Sequence, residues 1–474
     1  MPVNFYGLSV YRQFYMQTIC VFLVLTALIV VPTSAQQNSQ QCVTTYNAQT
    51  DYFPAKIHVD NATLFAIQYF NNYKLVSNKM TNEIFALYQC GTPAPTNLPN
   101  GTKVFAVPVA KVATLQTSSN TYLEALGVGA KIVALSVEQD VSSPCLQKGL
   151  ANNSIIQISS SNATFMAQTL AQMDVVFGSP SASTSNNTVL VFLFVRFSGE
   201  TLHCVNRDND INVFRRNIQR AEWVEFYSTW FNLEDSGNKI SASINDNYNC
   251  LRRAAANING NKPIVSWVSY SAPSEYTNNT PSWDISTVNF KMQLTADAGA
   301  IFFAPNTTKF STSKDFLAAI QNVDVIIDET YLAPTLNDVL SNFGITNATA
   351  STYRFVANQA IFREDGIQTV AGGRDWYESA VIFDDAVLAD VIAAVWPGYP
   401  TTGYQRSWLR NVAKGETPKI STAANCTGSV STPRTDPAFA CSGNFAAKSG
   451  ASSVQAFGGF VVTLMAVAAA VLMA

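Results

Sequence analysis

The sequence predicts an α/β protein of two lobes joined by a long helical connector. Three observations carry this. Short, continuously apolar strands alternate with helices from Val104 to Val195, the pattern of a parallel sheet covered on both faces. From about Asn217 to Ala256 the spacing is helical throughout, with no strand. From Pro263 the strand–helix rhythm resumes.

In the first lobe, Val104–Val109 and Lys111–Leu115 are strand candidates, with Pro108 marking an edge or bend. Tyr122–Leu126 is a short helix closed by Gly127, and Lys131–Val137 a buried-type strand. Ser154–Ile158, Asp174–Phe177 and Val189–Val195 are further strands, and Ala163–Gln172 is a helix. In the connector, Trp223, Val224, Tyr227, Trp230 and Phe231 form one apolar face, which Ile240, Ile244, Tyr248 and Leu251 continue. Ser236-Gly237 is the expected break.

The second lobe begins with strand Pro263–Val268, helix Val288–Ala298 capped by Gly299, and strand Ala300–Phe303. Helix Phe316–Ile320 and strand Val323–Asp328 follow. Asp384 starts a helix over Asp385–Val395, and Trp396-Pro397 ends it. Beyond Arg410 the chain is rich in Thr, Ser, Ala and Gly, as a loop or stalk is. The expected division is a signal peptide over 1–35, lobes over 36–215 and 257–412, a connector over 216–256, a stalk over 413–449 and a tail over 450–474. Two halves on one stiff connector outline a binding protein with a cleft between them, and this reading requires an open crevice.

Both ends are apolar. Ile19–Val31 follows Arg12 and leads into Thr33-Ser34-Ala35, a secretory cleavage pattern. Phe457–Ala474 has no cationic flank and is preceded by Ser449-Gly450-Ala451, the pattern of a glycosyl-phosphatidylinositol signal with Ser449 as anchor. The alternative is an ordinary C-terminal transmembrane anchor. Asn61, Asn100, Asn152, Asn162, Asn186, Asn278, Asn306, Asn347 and Asn425 each start a glycosylation sequon, which fits a surface protein with only 13% charged residues. A net charge of −3 without a basic cluster disfavours nucleic acid.

Once Cys20 leaves with the signal peptide, seven cysteines remain: Cys42, Cys90, Cys145, Cys204, Cys250, Cys426 and Cys441. In an oxidising compartment they are disulfide candidates, and none forms a C-x-x-C pair. Cys426 with Cys441 closes a short loop, and Cys42 with Cys90 is placed to staple the N-terminal segment. The rest stay unassigned, with one thiol left over.

Ala110–Leu135, "AKVATLQTSSNTYLEALGVGAKIVAL", resembles the N-terminal signature of the substrate-binding proteins of ABC importers for ferric siderophores, haem and cobalamin, the class III periplasmic binding proteins. Met173–Phe177, Ala221–Tyr248, Val323–Tyr331 and Asp375–Pro397 resemble further blocks of that family, in the same order. The resemblance implies two Rossmann-like lobes, a small-molecule ligand between them and no reaction. The eukaryotic-style anchor and sequons depart from it, as does an insertion around Cys204–Arg215, and leave any transport partner unassigned.

On that architecture, ligand residues come from loops at the C-terminal ends of strands. Thr117, Ser118, Ser119, Asn120 and Thr121 precede a helix N-terminus, suited to carboxylate, phosphate or hydroxamate oxygens; the alternative is helix capping. Trp267, Ser269 and Tyr270 follow one strand, and Asp328, Glu329 and Tyr331 another, with core packing as the alternative for the aromatics. Arg363 and Arg374 are candidates for gripping anionic oxygens, and Trp376 lies beside Arg374 in "GGRDWYE". Their alternatives are structural pairs, Arg363–Asp365 and Arg374–Glu378. With only His58 and His203, a naked transition-metal site is not expected; a pre-chelated metal brings its own ligands.

No G-x-S-x-G, H-E-x-x-H or P-loop occurs, so no catalytic residue, enzyme activity or cofactor is assigned. "DNDIN" at Asp208–Asn212 begins like a calcium loop but lacks the closing carboxylate. The sequence thus points to a solute-binding surface protein taking an iron chelate or a cobalamin-like ligand. A structural or adhesive glycoprotein of the same fold is the rival.

Overall fold

The computed structural model describes residues 37–60, 63–136, 138–178, 187–190, 218–443 and 445. The expected signal peptide, Asn61, Asn186, the insertion at Cys204–Arg215, Ser449 and the apolar tail lie outside these residues. The other seven sequon asparagines are all exposed.

A four-stranded sheet opens the fold: β1 (Phe65–Tyr69), β2 (Tyr73–Asn78), β3 (Glu83–Gln89) and β4 (Lys103–Val107), with β1–β3 antiparallel and β3–β4 parallel. Next come β5 (Val112–Thr114), α1 (Ser118–Ala125), β6 (Ile132–Leu135), α2 (Pro144–Ala151), β7 (Ile156–Gln157), α3 (Ala163–Leu170), β8 (Val175–Gly178) and β9 (Thr188–Leu190). Their strands form a parallel sheet in the order β7-β6-β5-β8-β9. The order reverses at β5, so α1 and the loop before it stand at a topological switch point.

The connector consists of α4 (Ile218–Ala221), α5 (Trp223–Ser228) and the 23-residue α6 (Glu234–Ala256). Its expected aromatic face is buried: Trp223, Tyr227 and Trp230 are fully enclosed. They pack edge-on or stacked against Phe65, Phe85, Phe105, Tyr122 and Phe177 of the first lobe. The break falls at Asn232, whose φ of 55° turns the chain, and not at Ser236-Gly237. Gly237 lies inside α6 because a Cβ there would stand 2.5 Å from the Ser228 Oγ. The glycine serves close packing of α5 on α6.

The second lobe contains β10 (Ile264–Ser271), β11 (Ser282–Ile285), α7 (Asn289–Asp297), β12 (Ile301–Phe302), β13 (Lys309–Phe310), α8 (Ser313–Ala319) and β14 (Val325–Asp328). It continues with α9 (Leu336–Phe343), α10 (Arg354–Ala357), β15 (Ile361–Arg363), β16 (Ile367–Thr369), α11 (Asp384–Val395) and β17 (Arg410–Asn411). Strands β10, β14 and β15 are parallel, and β11, β13 and β17 add antiparallel edges.

The two lobes are not separate bodies on a rod. One apolar core runs from Phe53 and Leu123 through the connector and α11 to Val265, Trp267, Ile327 and Phe362. Every residue of α11 is buried. Smaller cores cover the far faces of the two parallel sheets.

The segment expected to be a stalk is also part of the body, at least through Cys441. Strand β18 (Lys419–Ser421) pairs in parallel with β16. Cys426 is bonded to Cys145 on α2 and Cys441 to Cys250 on α6, so the expected Cys426–Cys441 pair does not form. Their sequence separations of 281 and 191 residues show why nearness along the chain misled: the segment crosses the molecule between the two cysteines. Cys42–Cys90 is present.

Candidate functional site

The loops after β5 and β6 meet the segment that follows β16, and buried side chains from both lobes fill the seam where a crevice was expected. Ser118, Ser119, Asn120 and Thr121 are buried, and Thr117 is half-buried. The Ser119 hydroxyl lies 2.8 Å from that of Tyr227. Asn120 accepts from the Thr114 hydroxyl at 2.8 Å and donates across the seam to Glu378 at 3.0 Å. These groups hold the fold where ligand contacts were expected.

The segment between β16 and α11 supplies the other wall. Ser142 N–H donates to Glu378, and its hydroxyl rests against both Glu378 and Asp375. Asp375 also accepts from Trp408 Nε1 at 2.7 Å and from the Ser379 hydroxyl. Thr369 donates to the Gln139 carbonyl at 2.7 Å. At Gly373 a Cβ would stand 2.6 Å from the Asp140 Cα, so glycine alone lets the lobes' backbones meet there.

Arg434, on the crossing segment, completes this cluster. Its guanidinium lies 3.1 Å from Asp375 and 3.7 Å from Glu124, and its N–H donates to the Glu124 carbonyl at 3.1 Å. Burial opposes ionisation of Asp375, but Arg434 and the hydrogen bonds outweigh it and hold the carboxyl below its ordinary value. Burial pushes Glu378 up to about 7 despite Arg434, with Asp375 and Glu124 adding to the rise. Burial likewise raises Glu124.

The candidates of the second lobe divide. Arg363 is buried in ion pairs with Asp328 and, at 3.1 Å, Asp365, and it donates to the Thr330 carbonyl at 2.6 Å. Its role is structural, by the Arg363–Asp365 alternative. Arg374 spends its fork on the Thr330 and Tyr331 carbonyls, at 2.6 and 2.7 Å, and no Arg374–Glu378 pair is seen among the described residues. Trp267 and Trp376 are buried 6.2 Å apart, and Trp267 Nε1 donates to Thr295 at 3.0 Å. Both belong to the core. Tyr270 is half-buried against Trp283, Glu329 is ion-paired with Lys291, and Tyr331 is 68% exposed.

Sequence reasoning missed Lys291 and Glu364. Glu364 follows β15 directly, is fully buried, and its carboxyl is hydrogen-bonded to that of Glu329. Burial, then the adjacent Glu329 carboxylate, drive it far above the ordinary carboxylate range, against the pull of Lys291 and Arg374. Two acids, Glu329 and Glu364, an ammonium and a guanidinium thus gather at the ends of β14 and β15. Nothing in the run Phe362-Arg363-Glu364-Asp365 marks Glu364 as turned inward.

Among the described residues, no group of three or more His, Cys, Asp and Glu is placed to hold a metal ion, and no helix is long and apolar enough to cross a membrane. No family model and no curated protein matches the chain. Among solved structures it is similar to a periplasmic binding protein from Veillonella parvula DSM 2008, at 11% identity and TM-score 0.42, over 66% of this chain and 88% of that one. It is also similar to a periplasmic heme binding protein from Pseudomonas aeruginosa, at 10% identity and TM-score 0.42, over 64% and 97%. The petrobactin-binding protein YclQ from Bacillus subtilis aligns at 13% identity and TM-score 0.41, over 61% and 92%.

Proposed function

We propose that the chain is a solute-binding protein held closed in this structure, and that Glu364, with Lys291 and Arg374, is the charged part of its binding surface. The observation that carries this reading is the fully buried Glu364 carboxyl, hydrogen-bonded to the Glu329 carboxyl beside Lys291 and Arg374 at the end of β15. Buried acid pairs whose ionisation is strongly perturbed cluster at functional sites. Lys291 and Arg374, released from Glu329 and from the Thr330 and Tyr331 carbonyls as the lobes part, favour an oxygen-rich, anionic solute. Within that class the proposed ligand is an iron chelate, as siderophore or haem, or a cobalamin-like compound. The proposed setting is the outer face of a plasma membrane, by way of an export signal, N-glycans and a lipid anchor.

Thermal unfolding of the ectodomain with ferric hydroxamate and catecholate siderophores, haemin and cobalamin tests it. One ligand at a hundredfold its dissociation constant stabilises the protein by about 2.7 kcal/mol, and Glu364→Ala abolishes the gain. No response to any of the four sinks the proposal.

A second reading is favoured by the burial of Ser118–Thr121 and by the disulfide-fastened segment across the seam. It is a structural or adhesive surface glycoprotein that keeps the fold with its crevice shut. Adhesion to cells or wall polymer, without any solute response, is its signature.

A further inference from the structure

Residues 419–441 pass from the second lobe to the first and then to the connector, fastened at each stage. Strand β18 is paired with β16 of the second lobe, and the Ser421 hydroxyl donates to the Ser142 carbonyl of the first at 2.5 Å. Cys426 is bonded to Cys145 on the first lobe's α2. The chain then runs so close to the first lobe that a Cβ on Gly129 would stand 2.3 Å from the Val430 carbonyl oxygen. Arg434 enters the carboxylate cluster of Glu124, Asp375 and Glu378. Asn247 of α6 grips the Phe439 carbonyl at 3.0 Å and the Cys441 N–H at 2.8 Å, beside the Cys250–Cys441 bond.

The geometry points to this segment as a latch that holds the inter-lobe seam shut, with Arg434 as its bolt. Glu124 belongs to the first lobe and Asp375 to the second, so one guanidinium, carried by neither lobe, bridges carboxylates on both sides of the seam. Without it the three buried acids face each other with only Ser142, Ser143, Asn120, Ser379 and Trp408 as donors. Ion pairing on this scale needs the cation in place, because buried carboxylates left together repel. The disulfides keep Arg434 at high local concentration, so the bolt returns whenever it slips. The latch does not depend on which solute binds, or on whether one does.

Amide hydrogen exchange tests it on the intact ectodomain, comparing wild type with Arg434→Met and with Cys145→Ser/Cys426→Ser. The latch predicts exchange faster by about tenfold or more at residues 118–124, 142–143 and 375–379 in both variants, with β10 and the α6 core unchanged. Arg434→Lys, which keeps the charge, restores most of the protection. A third form, cut after folding at a protease site placed over the exposed residues 427–429, keeps both disulfides and reads the same amides if the cysteine variant does not fold. Unchanged seam exchange in Arg434→Met and in the cut form overturns the latch. So does acceleration spread evenly over the whole molecule, which marks a merely stabilising segment.

Discussion

Asn120 and Glu378 lie 258 residues apart in the chain and meet at 3.0 Å across the seam, both fully buried. The first stands at the N-terminus of α1 and the second just ahead of α11, so the bond ties the switch point of one sheet to the loops of the other. A polar contact placed where a crevice was expected sets the closed state of the molecule.

Asn120→Ala removes the one side-chain donor to Glu378 Oε1 seen among the described residues and leaves that oxygen buried. The expected cost is about 1–3 kcal/mol, read as a lower denaturant midpoint. A midpoint unchanged within error contradicts a closed, water-free seam.

Arg363→Met separates a structural arginine from a ligand-binding one. Asp328, fully buried, loses its counter-ion, and the expected loss of stability is about 3–5 kcal/mol. A variant that folds with normal stability but loses solute affinity returns Arg363 to the ligand site.

Stability falls as pH rises from about 4.5 towards 8. Burial raises Glu378 to about 7 and Glu225, Asp384 and Asp385 to about 8, from ordinary values of 3.8 to 4.5. In this window the folded chain keeps protons that the unfolded chain has lost, so the stabilisation is full below the lower values and is lost through the upper ones. Asp365 and Asp375, held below their ordinary values, act in the opposite sense only at more acid pH. Melting temperature recorded from pH 5 to 8 checks the slope, and Glu378→Gln makes it shallower by one group's share. A rise with pH contradicts the buried-acid account.

Gly237→Ala forces a methyl group against the Ser228 Oγ, which cannot easily turn away because it donates to the Glu225 carbonyl at 2.7 Å. The expected destabilisation is about 1–3 kcal/mol, although alanine is the better helix former. Thermal unfolding decides the sign.

The regular parts of the fold were legible because their burial is one-sided and continuous. Val175–Gly178 and Val325–Asp328 are buried at every position, and the aromatic face of α5 repeats at helical spacing. Strand β2 was not legible: its inward residues are Lys74, Val76 and Asn78, and polar side chains at two of three inward positions hide the alternation. Lys74 is tolerated there by its ion pair with Glu234 of α6. The crossing segment was hidden for a different reason. Its Ser, Thr and Gly composition is that of a linker, and what holds it are long-range contacts without a local signature: two disulfides, the β16–β18 pairing, the Asn247 grip and Arg434. Among the candidate site residues, the sequence did not show the direction of the side chains: Arg363 and Trp376 turn into the body, and so does Glu364, which was overlooked.

The most direct test of the closed seam is the amide exchange of Ser142 in the wild-type protein, because its N–H donates across the seam to Glu378. The account predicts protection comparable with that of Ala113 in β5. Exchange as fast as that of exposed Gly101 contradicts it and returns an open crevice to the molecule.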